Sequence, residues 1–235
     1  FSFTYDGKPS AELLPTWQRE ARSEAMDGNR TRHTVTWKDP ATGLEVRLVA
    51  VEYHDFATVE WTMYFRNAGA ADTPILERIL PLDTGWRRGS GSEFLLHHNV
   101  GSPANGSDFG PLQTPLGPKA TLRLAAAGGR STNSDMSYFN LQWGDEGRII
   151  AVGWPGQWAS DWGRDAGVGL RLQAGQELTH LKLLPGEEIR TPLIVVQSWK
   201  GGDWIRAQNL WRRWVMAHSI VRPDGELPRP AFRAA

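Results

Sequence analysis

The 235-residue chain has no cysteine. This excludes disulfide bridges and thiolate metal sites, and it fits an intracellular or an exported protein equally. A net charge of either sign is missing too, since 26 basic residues cancel 26 acidic ones. With no positive field and no dense Lys/Arg run, nucleic acid is not an expected partner. No stretch approaches the roughly 20 apolar residues of a membrane helix, and no basic-then-apolar segment opens the chain, so no membrane partner is expected either. The chain starts at Phe1 rather than Met, which reads as a processed or excised piece.

Tryptophan, by contrast, is abundant. Twelve Trp alongside 25 Gly and 15 Pro point to an aromatic-rich, turn-rich β domain. The length suffices for one sizeable core, placed here at residues 1–220. Asp6-Gly7 is a hairpin signal. His33 to Trp37 and Leu44 to Tyr53 alternate across the turn Asp39 to Gly43, whereas Glu20 to Arg32 is polar enough to read as loop. In Thr58 to Arg66, Val59, Trp61, Met63 and Phe65 share one face and Glu60, Thr62, Tyr64 and Arg66 the other. Asp83 to Pro118 is rich in Gly, Ser, Pro and Asn and reads as a long loop interrupted only at Glu93 to His97. Short strands resume from Thr121 to Ser198, about ten in all. The expected fold is a large antiparallel β-sandwich.

One helix should close it. Asp203 is the expected N-cap and 204–218 the helix, with Trp204, Ala207, Leu210, Trp211, Trp214, Val215 and His218 on the sheet-facing stripe. Ile205 and Met216 fall outside that stripe, a second surface suited to another domain or subunit. Val221 to Ala235, with Pro223, Pro228 and Pro230, reads as a linker.

The best ligand candidate is Ile149 to Arg164. A short apolar strand enters the Gly-Trp-Pro-Gly turn, which places Trp154, Trp158 and Trp162 on a loop beside Gln157, Asp161 and Arg164. Indole faces with fork-shaped polar groups suit a sugar, against the plain alternative that the rings fill the core. Weaker candidates are His97, His98 and Asn99. Only Asp108 and Asp135 stand near that pair as further ligands, so no metal site is expected, and no cofactor. No paired catalytic carboxylates are visible: Asp6 and Asp39 sit in turns, Glu60 on a polar strand face and Asp203 at a cap.

Several segments together resemble the N-terminal domain of family 36 glycoside hydrolases, the α-galactosidase group. They are Leu13-Leu-Pro-Thr-Trp17, Asp39-Pro-Ala-Thr-Gly-Leu44, Val59-Glu-Trp61, Thr73-Pro-Ile-Leu-Glu77, Gly129-Arg-Ser131, Gly153-Trp-Pro-Gly-Gln-Trp158 and Leu184-Pro-Gly-Glu-Glu-Ile-Arg-Thr-Pro192, in order from about Phe3 to Ser219. The resemblance implies a galactose-mutarotase-like β-supersandwich that precedes a (β/α)8 barrel carrying the catalytic aspartates. It also implies a galactoside ligand for the parent enzyme and a homo-oligomer among its states. The chain stops at Ala235, before such a barrel could begin, so the expectation is a non-catalytic accessory domain. Two readings stand beside it: an independent carbohydrate-binding module, and an aldose mutarotase-like enzyme with His97 or His98 as acid and Glu187 as base.

Overall fold

The computed structural model describes residues 1–89, 91–222 and 225–226. β1 (Ser2–Tyr5) and β2 (Lys8–Pro9) form a hairpin whose turn residues Asp6 and Gly7 both have positive φ, the conformation that an Asp-Gly hairpin turn selects. A helical turn, α1 (Ser10–Leu13), and a 3-10 turn at Leu14–Thr16 follow. They lead into a meander of β3 (Gln18–Ala25), β4 (Arg30–Lys38), β5 (Leu44–Tyr53) and β6 (Thr58–Asn67). Next come β7 (Leu76–Leu80), β8 (Leu82–Arg87), β9 (Phe94–Asn99) and β10 (Pro111–Leu116). β11 (Thr121–Ala127) pairs with β12 (Arg130–Ser134), and β13 (Tyr138–Trp143) with β14 (Glu146–Gly153). β15 (Trp158–Arg164), β16 (Gly169–Gln176), β17 (His180–Leu181), β18 (Glu188–Arg190) and β19 (Leu193–Lys200) complete the strands before α2 (Trp204–Trp214).

These strands make three antiparallel sheets. The longest is ten-stranded, in the order β10-β9-β13-β14-β19-β6-β5-β4-β3 with β18 also on β6. A five-stranded sheet, β12-β11-β15-β16-β8, covers one half of it, and a four-stranded sheet, β17-β7-β1-β2, covers the next part. Beneath the first cover, Phe139, Leu141, Ile150 and Val152 meet Trp158, Trp162 and Leu172. Beneath the second, Leu44, Val46, Met63 and Phe65 meet Phe3, Tyr5 and Leu76. Trp61 touches both clusters, so the two covers lie on the same face of the long sheet. The fold is therefore a large antiparallel β-sandwich with a C-terminal helix.

The helix lies on the other face. Ala207 packs on Ile149 and Trp199, and Trp214 packs on Tyr53 and Val195. This accounts for the unbroken apolar run Ile149 to Val152: adjacent residues face opposite sides of a sheet that is covered on both. Asp203 caps α2 by accepting from the Arg206 amide at 2.9 Å, and the chain then widens into a π turn at Val215–Ser219. Asn140, fully buried, ties helix to sheet by accepting from Trp199 Nε1 at 3.0 Å and donating to the Trp204 carbonyl at 3.3 Å. Gly147 makes room for this joint, because a Cβ there would lie 2.5 Å from the Trp199 ring and 2.2 Å from the Leu141 carbonyl.

Three expectations change. Glu20 to Arg32 is not a loop: β3 and β4 form a hairpin there. All eight residues of β3 are exposed, so no period-two apolar signal exists to read. Asp83 to Pro118 contains most of β8 and all of β9 and β10, leaving a true loop only on either side of β9. Phe94, Leu96, His97 and His98 are all buried, which erases alternation in β9 because that strand is covered on both faces. Among the described residues the strands number nineteen rather than about ten, the surplus being mostly short. Most of the expected linker, residues 223–224 and 227–235, lies outside the described residues.

Two substitutions should separate core from surface. Trp162 is buried edge-on against Phe139 at 5.4 Å, so Trp162→Ala should cost about 3–5 kcal/mol in urea unfolding. Ile205 and Met216 are 52% and 47% exposed, and Ile205→Glu should stay within about 0.5 kcal/mol of wild type. A loss of several kcal/mol at Ile205 would show that the outer face of α2 is covered.

Candidate functional site

The expected site residues separate along β15. Pro155 and Gly156 end their turn before Trp158, so Trp158 and Trp162 sit on a strand rather than a loop. Four residues apart on a strand, they point to the same face, and that face is the core. Both rings are buried, Trp158 also donating from Nε1 to the Ser131 carbonyl at 2.7 Å, and neither has a face open to a sugar. Arg164 faces inward with them. Its guanidinium is bound by Glu93 at 3.0 Å, Asp165 at 2.6 Å and the Gly167 carbonyl at 2.7 Å, a structural clamp with no donor to spare. Trp154 stays half-buried in the turn with the Arg190 guanidinium 5.5 Å from its ring centre.

Asp161 points the opposite way, onto the outer face of the five-stranded sheet. Register places Arg123 beside it on β11, Gln173 beside it on β16, and Asp83 beside Gln173 on β8. This makes one polar row across four strands. The next rows carry small side chains: Ala125, Ala159 and Gly175 on one side, and on the other Gly163 and Gly85, which flank Arg171. The row therefore stands over a shallow trough, with a hollow of about 440 Å³ bounded by Arg123, Asp161 and Glu177. A neighbouring hollow of about 390 Å³ adjoins it past Gly163 and Arg171. Each is of ligand size.

Arg123 donates to both Asp161 oxygens at 2.9 and 2.8 Å and also bridges to Glu177. Gln157, another expected residue, donates to the second oxygen of Glu177 at 2.8 Å and accepts from the Gly129 amide at 3.0 Å. The trough thus offers a guanidinium, two carboxylates and two amides in reach of one another, the groups that hydroxyl-rich ligands need. It offers no exposed indole. Arg123, Gln173 and Glu177 were absent from the sequence-derived set. The available signal was that outward positions of β11, β15 and β16 carry only small or polar residues.

The histidines lie elsewhere. The His97 ring stacks on Trp204 at 4.7 Å, its Nε2 paired with Gln142 at 2.9 Å, and His98 Nε2 pairs with Thr114 at 2.9 Å. Burial holds both imidazoles below the ordinary histidine range. Asn99 donates to the Phe109 carbonyl at 3.0 Å. Glu187 folds back on its own turn, accepting from the Leu184 amide at 2.8 Å, and the turn runs into β18 on the far side of β13 and β14. Three strand spacings, roughly 14 Å, separate that column from β9. The acid–base pair considered for mutarotase chemistry is thus not brought together.

No family model matches the chain, and no curated protein matches it by sequence. Solved structures do. The GH36 α-galactosidase AgaA of Geobacillus stearothermophilus matches 79% of this chain with 28% of its own, at 16% identity and TM-score 0.62. The α-galactosidase of Lactobacillus brevis matches 86% with 28% of its own, at 14% identity and TM-score 0.63. The α-N-acetylgalactosaminidase NagBb of Bifidobacterium bifidum matches 94% with 34% of its own, at 10% identity and TM-score 0.57.

The fold is one shared with family 36 α-galactosidases. This chain spans between 28% and 34% of the length of these three enzymes.

The end of the polar row has a pH signature. Burial pushes the Asp83 carboxyl upward, but hydrogen bonds from Arg171, Ser2 and Gln173 outweigh it and bring the pKa down to about 2. The unfolded value is about 4, so the folded state favours the anion. Its stabilisation is complete above pH about 4 and is lost as pH falls toward about 2. In urea unfolding, the gap between wild type and Asp83→Asn should be widest near neutral pH and should narrow through that window. A constant gap would mean that the anion contributes nothing.

Proposed function

We propose that this chain is the N-terminal accessory domain of a family 36-like glycoside hydrolase, supporting a catalytic barrel without catalysing by itself. What carries the reading is coverage: the likeness takes in 79–86% of this chain and only 28–30% of the α-galactosidases. The ordered motif segments noted in the sequence support it independently. Among the described residues the nearest carboxylates of the trough, Asp161 and Glu177, are both held by Arg123. A retaining glycosidase instead needs one carboxyl protonated as acid and one free as nucleophile. In this reading residues 1–220 are the domain, 221–235 lead toward the barrel, and Ile205 and Met216 face it or a neighbouring subunit.

The purified chain should release no nitrophenol from 4-nitrophenyl α-galactoside, and the reading frame beyond Ala235 should encode a (β/α)8 barrel with two catalytic aspartates. Turnover that disappears when one of the chain's own carboxylates is replaced would defeat the proposal.

A second reading, sugar binding by the isolated domain, is favoured by the trough itself. Related structures contain stachyose and raffinose, which makes α-galactosides the ligands to try. Calorimetric titration with raffinose should show weak binding that Arg123→Ala removes. Arg123 is about half exposed, so that change should cost no more than about 1 kcal/mol of stability. Raffinose binding unaltered by Arg123→Ala would place any sugar site outside the trough.

A further inference from the structure

The two edges of the ten-stranded sheet are built differently. The β10 edge carries Pro111 and Pro115, which have no amide to offer and so blunt pairing with another chain. The β3 edge, Gln18–Ala25, has neither Pro nor Gly and is exposed along its whole length.

Its outward-pointing groups can be identified. The Met26 amide donates to the Arg30 carbonyl at 2.9 Å, in register with Ala25 opposite Thr31 and Glu24 opposite Arg32. In an antiparallel ladder such bonding alternates, so the even residues bond to β4 while Arg19, Ala21, Ser23 and Ala25 turn their N–H and C=O groups outward.

We propose that a second copy of this chain pairs antiparallel with this edge, about a twofold axis at Ala21. Charge selects that register. An axis at Arg19, Glu20 or Arg22 sets like charges directly opposite, which destabilises a ladder. An axis at Ser23 leaves a ladder of only five strand residues and draws on Glu24, already bonded to Arg32 at 2.9 Å. The axis at Ala21 aligns seven residues of each strand, Gln18 to Glu24. It sets Glu20 against the partner copy's Arg22, and Arg22 against the copy's Glu20. Neither residue has an ion-pair partner of its own among the described residues. Arg19 would meet Ser23, and its guanidinium already rests 6.0 Å from the Trp37 ring centre. At the axis the two Ala21 residues exchange both backbone hydrogen bonds, and their methyl side chains let the strands approach.

Sedimentation equilibrium of the 235-residue chain tests this. Wild type should shift toward twice its 26.2 kDa mass with rising concentration, and less so in high salt. Glu20→Arg should weaken the dimer roughly tenfold through two like-charge pairs, and adding Arg22→Glu to it should restore association by swapping both charges. Ala21→Pro should abolish the dimer with an unchanged far-ultraviolet spectrum, because the Ala21 amide takes no part in the β3–β4 ladder. A wild type monomeric at every concentration would assign the charges of β3 to keeping the edge unpaired and would overturn the proposal. So would a dimer that survives both Glu20→Arg and Ala21→Pro.

Discussion

Everything in this molecule depends on covering one face of a sheet too long for a single partner. From β10 across to β4 the long sheet presents a continuous apolar face, and two smaller sheets must share the work of keeping it dry. The junction is Trp61, whose ring borders both clusters while its Nε1 donates to the Pro81 carbonyl at 2.9 Å. Pro81 stands between β7, in the four-stranded sheet, and β8, in the five-stranded one. One indole therefore fixes the point at which the chain crosses from one cover to the other.

Legibility in the sequence followed burial. Where a strand has one dry face and one wet face, as in β5 and β6, alternation between Leu44 and Arg66 revealed it. Where both faces are wet, as in β3, or both covered, as in β9, there was no alternation to read. Tryptophan misled for a related reason. Trp158 and Trp162 stand at a spacing that reads equally as one face of a strand, and the preceding Pro-Gly turn suggested a loop that had already ended. The helix was clear because Asp203 caps it and its apolar stripe is continuous.

The trough could not be read in advance, because it is a product of register. Arg123, Asp161, Gln173 and Asp83 come from four strands, and β8 joins β16 across more than 80 residues of sequence. Nothing local to any of the four announces the row. What was legible was its negative: outward positions too small or too polar to fill a core. The family likeness lay in short turn-centred segments, which keep their form when surface side chains change, and it agrees with the fold.

The position of β19 bears on how the chain can be made. This strand, Leu193–Lys200, lies between β6 and β14 and pairs with both. As the chain leaves the ribosome, β3 to β6 can fold as a local meander, and β13 with β14 as a hairpin. The two halves of the long sheet stay apart until β19 has been synthesised. During that interval β6 presents an unpaired edge with Val59, Trp61, Met63 and Phe65 beside it, the kind of surface that aggregates or recruits chaperones. Closure then joins partners more than 130 residues apart in sequence, a slow, high-contact-order step. This domain is thus most vulnerable just before β19 appears.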